Sequence, residues 1–207
     1  NQSLERALGI VEAAAATGVH ALKLQTYTAG TMTLDIKTDE FFISDEKNLW
    51  KGLSLYELYE QAHTPWDWHE PIMQRAKELG MLCFSTPFDA SSVDFLETLD
   101  VPAYKIASFE NADLPLIRKV AETGKPMIIS TGMATLAEID EAVSTIREAQ
   151  RGQLALLKCT SAYPALPEDM DLRSIPHLAE AFGVPTGLSD HTLGTAVSIA
   201  AVSLGAC

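Results

Sequence analysis

Apolar residues gather in six short runs, at 20–24 (H-A-L-K-L), 81–85 (M-L-C-F-S), 103–107 (A-Y-K-I-A), 127–130 (M-I-I-S), 154–159 (L-A-L-L-K-C) and 185–188 (P-T-G-L). Each is short and shows little polar alternation, as expected for strands of a parallel sheet covered on both faces. Between the runs the period lengthens. Leu4, Leu8, Val11 and Ala15 recur at spacings of three and four, which places them on one stripe of a helix. Helix punctuation fits this alternation. Thr64-Pro65 reads as an N-cap and first-turn pair, Asp113 with Pro115 opens a further helix, and Thr135 with Glu138 has capping-box spacing. Gly80 and Gly124 stand where helices are expected to close.

Strand and helix alternating six times predict a parallel α/β architecture. Two closures compete, an open doubly wound sheet and a (β/α)8 barrel. No G-x-G-x-x-G follows any predicted strand, so the dinucleotide-binding version lacks its main signature. Polar residues collect instead just after the strands: Lys23 and Gln25; Ser85 and Thr86; Lys105, Ser108 and Glu110; Ser130 and Thr131; Lys158 and Thr160; Ser189, Asp190 and His191. In a barrel such positions converge on one C-terminal mouth, where barrel active sites lie, and the barrel is therefore expected. Residues 26–63 are too long for a simple βα loop and predict a partial lid with a short helix near 55–61.

Composition narrows the partners. The 207 residues carry 15 Lys and Arg against 28 Asp and Glu, a net charge of −13 that repels nucleic acid and anionic membranes. The longest uncharged stretch, 192–207, is too short to span a bilayer, and the N-terminus lacks a signal-peptide layout, so a cytoplasmic protein is expected. Three cysteines without metal-ligand spacing predict neither disulfides nor a zinc cage, and Cys83 and Cys159 read as core residues.

In so acidic a chain the placement of cations matters. Lys23, Lys105 and Lys158 all fall within apolar strands. Each alone could snorkel to solvent or pair with a carboxylate. Together they predict a cationic pocket for a phosphate- or carboxylate-bearing substrate, with a Schiff-base lysine at 105 or 158 as the rival reading. Thr86, Ser108, Ser130 and Ser189 are turn or cap residues taken singly, and phosphate donors taken together. Glu110, five residues after Lys105, is either a surface carboxylate or a general acid/base. His191 ends a predicted strand, where it is structural, a proton carrier or one ligand of a metal ion. His63, His69 and His177 are given no chemistry.

Six motifs taken in order, K-L-Q-T-Y (23–27), F-S-T-P-F-D (84–89), Y-K-I-A-S-F-E (104–110), I-S-T-G-M (129–133), K-C-T-S-A-Y-P (158–164) and G-L-S-D-H (187–191), resemble the sialic-acid synthase family. Within it, Ser161 and the stretch 55–69 (L-Y-E-L-Y-E-Q-A-H-T-P-W-D-W-H) are most similar to the pseudaminate-forming branch. The resemblance implies a TIM-barrel enzyme that condenses phosphoenolpyruvate with an open-chain amino sugar and water and releases phosphate, using Mn²⁺ or Mg²⁺. For this branch the sugar would be 2,4-diacetamido-2,4,6-trideoxy-L-altrose. N-acetylneuraminate or legionaminate formation are the neighbouring alternatives, with a Schiff-base aldolase or an inactive barrel module beyond them. By motif position Lys23, Thr86, Lys105, Ser108, Ser130 and Ser189 would bind phosphoenolpyruvate. Gln25, Glu110, Ser161 and Tyr163 would face the sugar, with Glu110 the acid/base, and His191 would be one of two metal histidines. The family pattern further implies a homodimer. It also implies that residues 1–207 are a partial barrel with about six of eight strands. The first strand with its catalytic Glu, the last strand with the second histidine, and the small antifreeze-like domain are expected outside this stretch. Gln2 stands where the family's opening N-H-N-G motif has Gly.

Overall fold

The computed structural model describes residues 3–44, 46, 50–149 and 152–207; Gln2 lies outside them. The chain forms two compact units, Asn1–Pro102 and Ala103–Cys207.

In the first unit helix α1 (Leu4–Ala16) leads into strand β1 (Ala21–Thr26). The long segment after β1 folds as a short helix α2 (Ala29–Met32), a 3-10 turn (Asp39–Phe41) and helix α3 (Leu55–Ala62), so the helix expected near 55–61 is present. Ser54 and Glu57 form a reciprocal capping box at its start. The Thr64-Pro65 pair does not open an α-helix directly. A 3-10 turn (Trp66–Trp68) intervenes before helix α4 (His69–Glu78), and strand β2 (Leu82–Pro87) and helix α5 (Ala90–Thr98) follow. Strands β1 and β2 pair in parallel with Lys23 opposite Phe84 and Gln25 opposite Thr86. Paired residues of a ladder share a face, so Lys23, Gln25, Phe84 and Thr86 lie on one side. Leu22, Leu24, Thr26, Cys83 and Ser85 lie on the other. That second side is the core side, where Leu22, Leu24 and Cys83 pack with Val11 of α1 and Ile72 and Ala76 of α4. The stripe predicted for α1 is thus the buried one. Burial pushes the Cys83 thiol up to about 11, in keeping with its expected core role.

The second unit repeats the rhythm: β3 (Tyr104–Ile106), α6 (Leu114–Glu122), β4 (Met127–Ser130), α7 (Leu136–Ala149), β5 (Leu154–Cys159), α8 (Ser174–Phe182), β6 (Thr186–Ser189) and α9 (Ala196–Ser203). Its four strands pair in parallel in chain order. Asp113 caps α6 by accepting from Leu116 N at 3.1 Å, and Thr135 and Glu138 close the predicted capping box. Gly124 takes φ +73° and Gly80 φ +79°, left-handed values that end their helices as expected. The core side carries Tyr104, Ile106, Met127, Ile129 and Leu156, all nearly inaccessible, with the apolar stripes of α6, α7 and α8 also buried.

Register settles the face of every polar strand residue in this unit. Lys105 pairs with Ile128, Ser130 with Leu157, and Cys159 with Ser189, which puts Lys105, Ser130, Cys159 and Ser189 on one side. Lys158 pairs with Leu188 and stands on the opposite side. Neither unit's sheet closes on itself. Among the described residues no helix is long and apolar enough to cross a membrane.

Candidate active site

The second unit brings most of the expected residues together at the C-terminal ends of β3 to β6. Lys105 is buried, and its Nζ donates to the Ile106 carbonyl at 3.0 Å and to Ser130 Oγ at 2.5 Å. A buried ammonium needs such partners, because leaving it without them costs several kcal/mol, on the order of 3–5. Ser130 is correspondingly buried, its hydroxyl turned to the lysine. A 3-10 turn (Ser108–Glu110) follows β3 and carries Ser108 and Glu110.

Glu110 stands at the end of that turn. Its Oε2 is buried with no hydrogen-bond partner. Burial raises the carboxyl above the ordinary carboxylate value; a hydrogen bond from its own backbone and then the positive charge of Lys105 offset this only in part. A carboxyl in that state is suited to hold and hand over a proton nearer neutrality than an exposed glutamate. The Tyr163 phenol is also raised, first by desolvation and then by the neighbouring Cys159 and Glu110.

The T-G-M turn after β4 adds a feature of shape. A Cβ on Gly132 would lie 2.4 Å from Ser161 Oγ, 2.9 Å from Ser108 Oγ and 3.2 Å from Cys159 Sγ. The bare glycine therefore lets two hydroxyls from different strand ends approach one point. Ser161 Oγ is itself buried and unpartnered. His191 completes the group. Its Nε2 stands 3.1 Å from Ser189 Oγ and 3.8 Å from Cys159 Sγ, and the Tyr163 ring meets it edge-on at 4.4 Å between centroids. Tyr163 itself is largely exposed, beside a cis Tyr163–Pro164 peptide. The Ala165 amide donates to the His191 carbonyl at 3.0 Å, which ties the two loops together.

In the first unit Lys23, Gln25 and Thr86 share the face of β1 and β2 away from the core. Desolvation lowers the Lys23 ammonium below its ordinary value. Thr86 Oγ1 is buried and has no hydrogen-bond partner.

Two sequence expectations change. The lysines do not form one matched set: Lys158 lies across the sheet from Lys105, and its Nζ donates to the Cys159 carbonyl at 3.1 Å and Thr160 Oγ1 at 3.3 Å. Its one-residue offset from Cys159 turns it to the other side, so it does not join Lys105 in a cationic pocket. Cys159 is buried, as expected of a core residue, and the same parity turns its sulfur to His191. Asp190 is a turn residue, accepting from Thr192 N at 2.9 Å and from the Thr192 hydroxyl at 2.7 Å. One residue was missed. Asn111 is 2% exposed, and both polar atoms of its amide lack partners. Its place directly after Glu110 was the only signal in the sequence.

His191 offers one imidazole to a metal ion. Among the described residues no group of three His, Cys, Asp or Glu side chains could hold such an ion, so this set does not complete a metal centre.

Comparison with known proteins agrees with the geometry. A profile of the NeuB family matches residues 10–207. The chain is 46% identical over 206 residues to the pseudaminic acid synthase of Helicobacter pylori, covering 100% of this chain and 60% of that protein. It is 35% identical over 210 residues to the N,N'-diacetyllegionaminic acid synthase of Campylobacter jejuni, covering 100% of this chain and 62% of that one. Among solved structures, the N-acetylneuraminic acid (sialic acid) synthetase of Leptospira borgpetersenii, crystallised with citrate, matches with a TM-score of 0.85 at 28% identity, over 98% of this chain and 65% of that one. The chain spans about three fifths of the length of the curated relatives it matches. With six strands alternating with helices in the barrel-type arrangement of the sialic acid synthases, and a family profile that runs from residue 10 to its last residue, the chain belongs to the NeuB family.

Proposed function

We propose that this chain is the catalytic part of a nonulosonate synthase that condenses phosphoenolpyruvate with 2,4-diacetamido-2,4,6-trideoxy-L-altrose and water, giving pseudaminate and phosphate. The observation that carries the reading lies in the second unit. There a lysine-held serine (Lys105–Ser130), an unpaired buried carboxyl oxygen (Glu110) and an unpaired buried hydroxyl (Ser161) accompany an imidazole faced by Tyr163. Buried polar atoms left without partners cost about 1–3 kcal/mol each, and substrate groups would supply the missing partners.

In this reading Lys105, Ser108, Ser130 and Ser189 hold the anionic groups of phosphoenolpyruvate, and Lys23 and Thr86 keep the phosphoenolpyruvate role that the family resemblance gives them. Gln25, Ser161 and Tyr163 face the sugar. Carbon 3 of phosphoenolpyruvate attacks the aldehyde carbon, forming the new C–C bond as the aldehyde oxygen takes a proton. Water then adds at carbon 2, and the tetrahedral intermediate expels phosphate. Glu110, with its raised carboxyl, carries the proton between these steps. A divalent ion, Mn²⁺ or Mg²⁺, would polarise the aldehyde with His191 as one ligand; the described residues do not complete its shell. A Schiff-base role for Lys105 is disfavoured, because its ammonium already donates to a carbonyl and a hydroxyl.

The test uses the full-length protein with Mn²⁺. Phosphate release from phosphoenolpyruvate should require the amino sugar, and mass spectrometry of the product should identify pseudaminate among the candidate acceptors offered. Release without sugar, or borohydride trapping of pyruvate on Lys105, overturns the reading. A legionaminate or N-acetylneuraminate product overturns the acceptor alone.

A further inference from the structure

The segment T-P-W-D-W-H (64–69) has no part in the chemistry above, yet it bears directly on the ends of the first unit's strands. His69, Thr26 and Ser85 are each 0% exposed. His69 Nε2 is 2.8 Å from Thr26 Oγ1, and Thr26 Oγ1 is 2.7 Å from Ser85 Oγ. The other ring nitrogen, Nδ1, is 3.2 Å from the Pro65 carbonyl. A carbonyl only accepts, so Nδ1 carries the proton and Nε2 of the neutral ring accepts from the Thr26 hydroxyl. Thr26 Oγ1 in turn accepts from Ser85. Every proton in this buried chain has one direction.

The strand parity then gives the chain its meaning. Thr26 and Ser85 lie on the core side, while their sequence neighbours Gln25 and Thr86 lie on the opposite side and pair with each other in the ladder. One buried bridge therefore joins β1, β2 and the start of α4 at the very level of two proposed substrate contacts. A second tie runs beside it: Trp66 Nε1 donates to the Tyr27 carbonyl at 3.3 Å. Phe95 of α5 fixes both anchors, stacking on Trp66 at 4.6 Å and meeting the His69 ring edge-on at 5.3 Å.

We propose that His69 is a positioning residue for phosphoenolpyruvate binding, acting through the Thr26–Ser85 hydroxyl pair to hold Thr86 at the end of β2, opposite the sugar-facing Gln25 of β1. The proposal rests on the reading of Thr86 and Gln25 as substrate contacts. Neutral His69 is the state the bridge requires. A second ring proton would reverse the Thr26 hydroxyl and leave the Ser85 proton directed away from the only partner described for it.

The experiment separates positioning from mere packing. Phosphoenolpyruvate affinity is measured by calorimetry on the full-length protein, with thermal unfolding followed in parallel. His69→Phe should weaken phosphoenolpyruvate binding at least tenfold and lower the melting temperature. His69→Gln, whose amide can accept from Thr26 and donate towards Pro65, should recover most of the affinity. The decisive variant is the triple His69→Phe, Thr26→Val, Ser85→Ala. With all three polar groups removed together, no buried donor is stranded and the melting temperature should recover. Affinity should stay low, because the bridge is still missing. If the triple variant regains affinity along with stability, the network is structural and the proposal is overturned. The proposal also fails if His69→Phe folds and binds phosphoenolpyruvate as wild type does. Absence of binding by the wild-type protein would instead refute the functional reading.

Discussion

Gly132 offers the sharpest test of the site in the second unit. Replacing it with Ala places a methyl group 2.4 Å from Ser161 Oγ and 2.9 Å from Ser108 Oγ, where ordinary contact begins near 3.4 Å. The Ser161 hydroxyl must retreat by about 1 Å and that of Ser108 by about 0.5 Å, which takes both side chains off their present rotamers at ~0.5–1.5 kcal/mol each. The strain alone amounts to a modest loss of stability. The larger effect falls on binding, since a hydrogen bond from Ser108 to an anionic ligand contributes ~1.5–3 kcal/mol. At 1.4 kcal/mol per factor of ten, phosphoenolpyruvate affinity should fall on the order of ten- to a hundredfold. Calorimetric titration gives this directly, with circular dichroism melting to confirm the fold. The double variant Gly132→Ala, Ser161→Ala removes the closest clash, and should recover phosphoenolpyruvate affinity in part without recovering turnover of the sugar. If Gly132→Ala binds and turns over within about twofold of wild type, Ser108 and Ser161 do not meet substrate at this point and the site is misassigned.

Lys105→Ala should reduce phosphoenolpyruvate affinity at least tenfold while leaving sugar affinity within about twofold, measured by separate titrations; equal losses refute its assignment to the phosphate-bearing substrate. Glu110→Gln should cut kcat by roughly 10²–10⁴. Because burial raises the Glu110 carboxyl, its stabilising contribution is complete below about 4.5 and is lost as pH rises through the folded-state value, so the Gln variant should melt higher than wild type at neutral pH and match it in acid. His69 has the opposite sign of proton linkage: burial lowers its pKa, so stability is full above about 6.5 and declines as pH falls from there, a decline that His69→Phe should flatten in pH-dependent unfolding. Chelation of the full-length protein should abolish turnover, and His191→Ala should weaken Mn²⁺ binding followed by electron paramagnetic resonance; turnover that persists in chelator refutes the metal assignment.

The strands and helices were legible because their signals are local. Six apolar runs and a handful of cap residues, Asp113 and Thr135 among them, act within a few positions of themselves. The exception near Thr64 has a physical cause: Trp66 is held to the Tyr27 carbonyl and stacked on Phe95, so the chain makes a 3-10 turn before it enters α4. The candidate site was legible as a list of strand-end polar residues, not as an arrangement. Lys158 and Lys105 look alike in sequence, and only the ladder shows that they face opposite ways. Asn111 and Gly132 carried no signal of their own. The first is distinguished by burial without a partner, the second by what crowds the space its side chain would fill.

That difference follows from one rule applied at the end of each strand. Side chains alternate, so wherever two adjacent polar residues close a strand, one belongs to the ligand side and the other to the protein side. Gln25 and Thr26, Thr86 and Ser85, and Cys159 and Lys158 are such pairs. In each, the residue on the core side is satisfied within the protein: Thr26 by His69, Ser85 by Thr26, and Lys158 by the Cys159 carbonyl and Thr160 Oγ1. On the other side Thr86 Oγ1 remains unpaired, and Cys159 shares His191 with Ser189. The two halves of a pair are therefore expected to respond differently to substitution. Loss of a core-side group strands a buried partner and lowers stability first. Loss of a ligand-side group such as Thr86 removes an unsatisfied atom, so Thr86→Val should hold or raise the melting temperature while weakening phosphoenolpyruvate binding. A Thr86→Val protein that melts lower and binds unchanged would place that hydroxyl with the scaffold, and would break the parity rule where it is most exposed to test.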